Sequence, residues 1–138
     1  MRMTAERLLL FGKKMDTQKI SNLLLRVGVA FAFLYPPVNA LSNPDSWIGY
    51  FPKFIHGIVP DLVLLHSFGL IEVIIALWIL SGKKIFWPSL IATAMIVTIV
   101  LANLNNFEIL FRDLYIAAMA LSLVFKSKSN STEKSSIN

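Results

Sequence analysis

Cysteine is absent from the 138 residues of this chain. Without thiols, the chain cannot form disulfides, thiolate metal sites or thiol redox centres. This excludes the membrane thiol oxidoreductases, which are also small helical bundles. Charged residues are scarce as well: they make up 15% of the sequence, against about 25% in soluble domains.

Apolar residues fill the chain instead. The hydrophobic fraction is 56% and the mean hydropathy is +0.66, with the charges gathered between long apolar runs. This pattern predicts an integral membrane protein of one domain. The net charge of +5 does not indicate nucleic-acid binding, because the basic residues flank the apolar runs and form no separate basic domain.

Four apolar segments are candidate membrane spans, at about residues 20–41, 62–80, 85–104 and 107–125. The second, as a helix, would reach about 28 Å, which is close to the hydrocarbon thickness of a bilayer. Pro36 and Pro37 predict a kink or an end near the end of the first span. The predicted fold is therefore all-α, a bundle of four transmembrane helices formed by residues 20–125.

The remaining segments do not suit a span. Residues 42–61 are broken by Gly and Pro and rich in aromatic side chains, which predicts an interfacial or re-entrant segment between the first and second helices. His56 lies there, and we expect it to be a plain interfacial side chain. Residues 1–19 are predicted to be a cytoplasmic basic lead-in, and the polar residues 126–138 a disordered cytoplasmic tail.

The basic residues also predict the orientation in the membrane. The connection at 42–61 holds only Lys53, whereas the lead-in, the turn at 81–84 and the tail hold ten Lys and Arg residues. Positive charge marks the cytoplasmic side, so both termini should be cytoplasmic. Four spans, an even number, are consistent with this orientation. The ten are Arg2, Arg7, Lys13, Lys14, Lys19, Lys83, Lys84, Lys126, Lys128 and Lys134.

Two charged residues fall inside the first two spans. Arg26 lies six residues, about 9 Å, from the cytoplasmic end of its span, and Glu72 lies eight residues, about 12 Å, from the same end of its own. These similar depths predict an intramembrane Arg26–Glu72 pair. The pair either lines a functional site or only holds the helices in register.

A second polar cluster is expected near the outer side of the bundle. Its members are Asp61, His66, Glu108, Arg112 and Asp113. Arg112 and Asp113 are candidates for a site, although they would also suit a snorkelling pair at a helix entrance. We predict no metal site. A haem held by two histidines is not expected, because the other histidine lies on the outer connection.

Three pieces of the sequence, taken in order, resemble the DoxX family of small four-helix membrane proteins. They are LRVGVAFAFLY (25–35) with NPDSWIGYFP (43–52), GLIE (69–72) leading to LSG (80–82), and FEILFRDL (107–114). The likeness covers roughly residues 20–125. Members often carry a lysine near the end of the first helix, and this chain does not.

The resemblance implies a multi-pass protein of the cytoplasmic membrane of a prokaryote. It also implies an accessory or quinone-contacting subunit of a membrane redox complex, with membrane or peripheral oxidoreductase subunits as partners. A quinone is then the candidate cofactor. We do not expect a stand-alone enzyme, because the sequence shows no redox centre of its own.

Two other functions remain open from the residues alone. Charged side chains at the membrane midplane recur in transporters, which would make the chain a small-molecule or ion carrier. Alternatively, the charges stabilise the bundle, and the chain is a structural or assembly protein that forms homo-oligomers or joins other subunits.

Overall fold

The chain is all-helical in a computed structural model. The model describes residues 4–105 and 107–136, apart from the side chains of residues 11, 13–16, 107, 109 and 110. No β-strand occurs in these ranges, so the prediction of an all-α fold is confirmed. The helices are α1 (Ala5–Ala40), α2 (Asp45–Ile48), α3 (Asp61–Ser81), α4 (Phe86–Ala102) and α5 (Phe107–Ser136).

The bounds of α3 and α4 lie within two residues of the predicted segments 62–80 and 85–104. Gly82 ends α3 in the left-handed conformation, with φ of +74°, and its N–H bonds the carbonyl of Ile79. A glycine adopts this conformation without strain, which makes it a common helix terminator. The hydrophobic runs and this glycine therefore indicated the helix bounds correctly.

The first helix is longer than the sequence predicted. It begins at Ala5 and continues through Pro36 and Pro37 to Ala40. Of the two predicted effects of the prolines, a kink or an end, the structure therefore rules out an end at the prolines. A proline removes one donor from the helix and crowds the preceding turn. Packing offsets this cost, because Pro37 lies against α3 and Ala40 is buried.

The last helix is also longer than predicted. The structure continues α5 to Ser136, although the segment 126–138 was expected to be disordered. The hydroxyls of Ser131 and Thr132 donate to carbonyls four residues earlier, at 3.1 and 3.2 Å. A helix extends at little cost once its first turns are held by packing. The polar residues after Phe125 therefore continue the helix whose apolar part is already packed in the bundle.

The four long helices pack as two antiparallel pairs, α1 on α3 and α4 on α5. The short connection at residues 82–85 lies at one end, the turn end, and the segment 41–60 lies at the other, the connection end. Small residues from every long helix let the backbones approach closely. The buried cluster is Val29, Ala30, Phe33, Ile75, Ala76, Ile79, Ala92, Ile96, Val100, Ala117, Ala120 and Leu123.

The outer surface of the bundle is strongly apolar. Thr17–Ala40 and Asp61–Ser81 are long and apolar enough to cross a membrane, as judged by length and composition, and α4 is apolar but has 17 residues. Large side chains on all four long helices are more than half exposed. Examples are Leu24, Phe31, Leu70, Leu77, Leu101 and Phe111.

The packing of α1 on α3 has a well-defined register. A Cβ atom added to Gly69 would lie 2.9 Å from the Cβ atom of Pro37. Eleven residues earlier on α1, Arg26 donates to the carbonyls of Ile79 and Leu80, ten and eleven residues later on α3. The two helices are therefore antiparallel, and their facing residues have numbers that add to about 106.

We expect Gly69→Ala to destabilise the protein. The new methyl group would meet the rigid ring of Pro37, and overpacking of this kind costs about 1–3 kcal/mol. The measurement is the free energy of unfolding in detergent, followed by circular dichroism during titration with a denaturing detergent. Gly28→Ala on α1 is the matched control, because nothing lies within 4 Å of its added Cβ atom. It should leave stability unchanged or raise it by up to about 1 kcal/mol. Equal losses in the two variants would contradict the register described here.

Candidate functional site

A cavity of about 570 Å³ lies at the connection end, between the α1–α3 pair and the α4–α5 pair. Its volume falls in the range of about 300–1,000 Å³ that is usual for small-molecule sites. Every long helix and the segment 41–60 contribute to its wall, which is mostly apolar. The aromatic side chains are Phe31, Phe33, Tyr35, Trp47, Tyr50, Phe51, Phe54 and Phe68.

The segment 41–60 is fastened over this cavity by side-chain hydrogen bonds. Trp47 Nε1 donates to Asn39 Oδ1 near the end of α1, at 2.9 Å. The buried Asn103, just after α4, donates from Nδ2 to the carbonyl of Tyr50 at 3.0 Å. Because these bonds join the segment to both helix pairs, the aromatic side chains of the segment face the cavity in a fixed arrangement.

A third attachment involves His56. Its Nδ1 lies 2.8 Å from Asp61 Oδ1 at the start of α3, and its Nε2 lies 3.2 Å from the carbonyl of Phe51. The hydrogen bond that His56 donates to the Asp61 carboxylate raises the pKa of His56. Both partners are acceptors, so only the protonated ring donates to both. His56 is therefore more than the plain interfacial side chain that the sequence predicted.

Three charged side chains reach the cavity wall: Glu72 from α3, and Arg112 and Asp113 from α5. Arg112 Nε donates to Asp113 Oδ1 at 3.1 Å, which forms an ion pair. Glu72 is only 9% exposed, and no hydrogen bond or ion pair to it occurs in the part of the chain that the structure describes. Formally, the three groups sum to −1.

The predicted Arg26–Glu72 pair does not form. Arg26 donates from Nε to the carbonyl of Ile79 at 2.9 Å, and from Nη2 to the carbonyl of Leu80. The last carbonyls of a helix lack partners within the helix, and a cation suits this end of the helix dipole. Glu72 lies eight residues before Leu80, about 12 Å along the axis. The predicted depth of Arg26 was wrong because it was counted from Ile20, whereas α1 begins at Ala5. In the structure, Arg26 is level with the end of α3.

The predicted outer cluster forms only in part. Asp61 pairs with His56 and not with His66. His66 is exposed, with Nδ1 bonded to the carbonyl of Leu62 at 2.6 Å, and Glu108 is exposed too. Five residues along a helix amount to a rotation of about 140°, which separates Asp61 from His66. Only Arg112 and Asp113 stay together, and they join Glu72.

The aromatic wall was the part of the site that the sequence did not predict. The aromatic residues of the connection suggested only an interfacial position. Their density next to a Gly- and Pro-rich segment was the signal available. Whether they face lipid or a cavity depends on the bonds to Asn39 and Asn103, which join distant parts of the chain.

No family model, curated protein or solved structure matches the chain. Among the described residues, no three His, Asp or Glu side chains converge as metal ligands. The cavity instead offers aromatic faces and, on one side, a carboxyl group beside an ion pair. Such a wall suits a lipophilic ring with one polar substituent.

We expect Arg26→Gln and Glu72→Gln to affect stability independently. The first variant loses two hydrogen bonds from a charged donor, at a cost of about 1–3 kcal/mol. Because the two side chains belong to different sites, the loss of stability in the double variant should equal the sum of the losses in the two single variants within about 0.5 kcal/mol. Free energies of unfolding in detergent provide the double-mutant cycle. A coupling energy well above about 0.5 kcal/mol would instead support the Arg26–Glu72 ion pair that the sequence suggested.

Proposed function

We propose that this chain is a four-span integral membrane protein of the DoxX-like type that holds the ring of a quinone in its cavity. In this role it would be an accessory or quinone-contacting subunit of a membrane redox complex in the cytoplasmic membrane of a prokaryote. The aromatic cavity with Glu72, Arg112 and Asp113 on its wall is the observation that carries the proposal.

The surface of the bundle supports a position within a bilayer. Soluble monomers rarely expose large contiguous apolar patches, whereas here large apolar side chains line the outer faces of all four long helices. The apolar part of α5 is short, at residues 114–125. Arg112 and Asp113, which precede this part, can still lie at membrane depth, because they line the cavity and pair with each other. Charges at membrane depth usually face a bundle interior or pair with one another.

The shape and chemistry of the cavity support a ring ligand. Aromatic side chains bind flat rings by offset or edge-to-face contact, and Phe51 and Phe68 already pack edge-to-face, with centroids 5.6 Å apart. A quinone combines such a ring with polar oxygens and an apolar tail. The tail would leave along the apolar surface, and one of the two ring oxygens would meet the charged side of the cavity.

The absence of cysteine supports an accessory role. A chain without thiolates cannot hold a cysteine-ligated iron–sulfur cluster or a redox disulfide. A quinone bound here would therefore exchange electrons with a partner subunit. This accords with the resemblance to proteins that accompany quinone-linked oxidoreductases.

The orientation can be tested with single cysteines, which would be unique in this chain. Ser46→Cys lies in the connection and Ser129→Cys near the end of α5, and both positions are exposed. In intact cells, a membrane-impermeant maleimide should label the first variant, and the second only after permeabilisation. The reverse pattern, or labelling of both in intact cells, would overturn the four-span arrangement with cytoplasmic termini.

We expect the purified protein to bind a short-chain benzoquinone in the cavity. Ile99→Trp on α4 puts a large side chain into the wall and should weaken binding at least about tenfold, or about 1.4 kcal/mol. Titration calorimetry in detergent measures the affinity. Ile91→Trp is the matched control, since Ile91 lies on the same helix and is 41% exposed. Equal affinities in the two variants, or no binding by the wild type, would count against the proposal.

A further inference from the structure

Glu72 is the charged group on the cavity wall that has no partner among the described residues. It is nine-tenths buried, it lies on the cavity wall, and no donor bonds it within the described residues. Asp113, the other carboxylate, is already bonded to Arg112. A buried polar group without a partner costs free energy, so a ligand that hydrogen-bonds Glu72 would gain more than one that only packs against the aromatic wall.

Glu72 can form this bond in two directions. An ionised carboxylate only accepts hydrogen bonds, whereas a protonated carboxyl also donates one. A hydroxyl substituent on a bound ring would therefore suit the ionised form, and a carbonyl substituent the protonated form. The quinol and quinone of one couple differ in this respect and hardly at all in shape.

We propose that Glu72 is the hydrogen-bonding contact for the ligand's oxygen, and that its protonation state selects between the two forms of a quinone couple. The cavity would favour the hydroxyl-bearing quinol when Glu72 is ionised and the carbonyl-bearing quinone when Glu72 is protonated. This inference rests on the proposed function, and it identifies which chemical form of the ligand the cavity binds.

The other groups on the wall do not repeat this role. Arg112 and Asp113 are the remaining charged members, both from α5, and they compensate each other. The lining residues from α1, α4 and the connection are uncharged, and of these Tyr35 and Tyr50 carry phenol groups. Glu72 is therefore the charged group on the wall that has no partner among the described residues.

The test is to measure the affinity for tetramethyl-benzoquinone and for its quinol by anaerobic titration calorimetry. The full-length protein in detergent is titrated from about pH 5.5 to about pH 8.5, where a buried carboxyl can titrate. The preference for quinol over quinone should rise with pH by about tenfold or more, because a hydrogen bond to a charged group is stronger than one to a neutral group.

Glu72→Gln should remove the dependence on pH. An amide both donates and accepts at every pH, so this variant should bind the two forms with a constant ratio. Glu108→Gln is the matched control: Glu108 is exposed and outside the cavity wall, so its loss should leave the wild-type profile unchanged. Elution volume and the circular dichroism spectrum establish that each variant is folded.

The outcomes separate this inference from the proposed function. If neither form binds to the wild-type protein, the proposed quinone site itself fails. If both bind with a ratio that does not change with pH, the quinone site stands and the role of Glu72 is overturned. The same conclusion follows if Glu72→Gln keeps the pH dependence. The wild-type profile alone decides the matter if Glu72→Gln does not fold.

Discussion

The close approach of α1 and α3 is the constraint on which the rest of this structure depends. Gly69 lacks a side chain where Pro37 crosses it, and eleven residues away Arg26 bonds the free carbonyls at the end of α3. These two contacts hold the register of the pair. In that register Glu72 lies level with Leu34, on the cavity wall and about 12 Å from Arg26 along the axis. A slip of one turn would move Glu72 about 5.4 Å along the axis relative to Arg26, and Gly69 would no longer lie opposite Pro37.

The cavity follows from how the two helix pairs meet. Small side chains such as Ala76, Ala92 and Ala120 let the pairs pack closely, and these three are almost fully buried. At the connection end, aromatic side chains line the space between the two pairs, and the segment 41–60 contributes to its wall. This segment bonds Asn39 and Asn103. The two bonds hold it against both helix pairs, so it forms part of the cavity wall.

The ionisable residues of the bundle therefore have different roles. Arg26 and the His56–Asp61 pair join structural elements, and each has protein partners for its polar atoms. Arg112 and Asp113 reach the cavity but already bond each other. Glu72 differs from all of them, since it combines deep burial with the absence of a partner in the described part of the chain. That contrast between satisfied and unsatisfied groups supports a ligand site more directly than the presence of charge does.

The helical class, the bounds of α3 and α4, and the position of the connection between α1 and α3 could be predicted from the sequence, because hydrophobic runs, Gly and Pro act locally. The sequence also singled out Glu72, Arg112 and Asp113, since charges in apolar runs are conspicuous. The partners of these three residues depend on how the helices pack. Depth along a helix depends on where its neighbour begins and ends, and the face of a side chain depends on rotation about the axis. Neither quantity is local, which is why Arg26 was assigned to Glu72 and why the aromatic wall was not predicted.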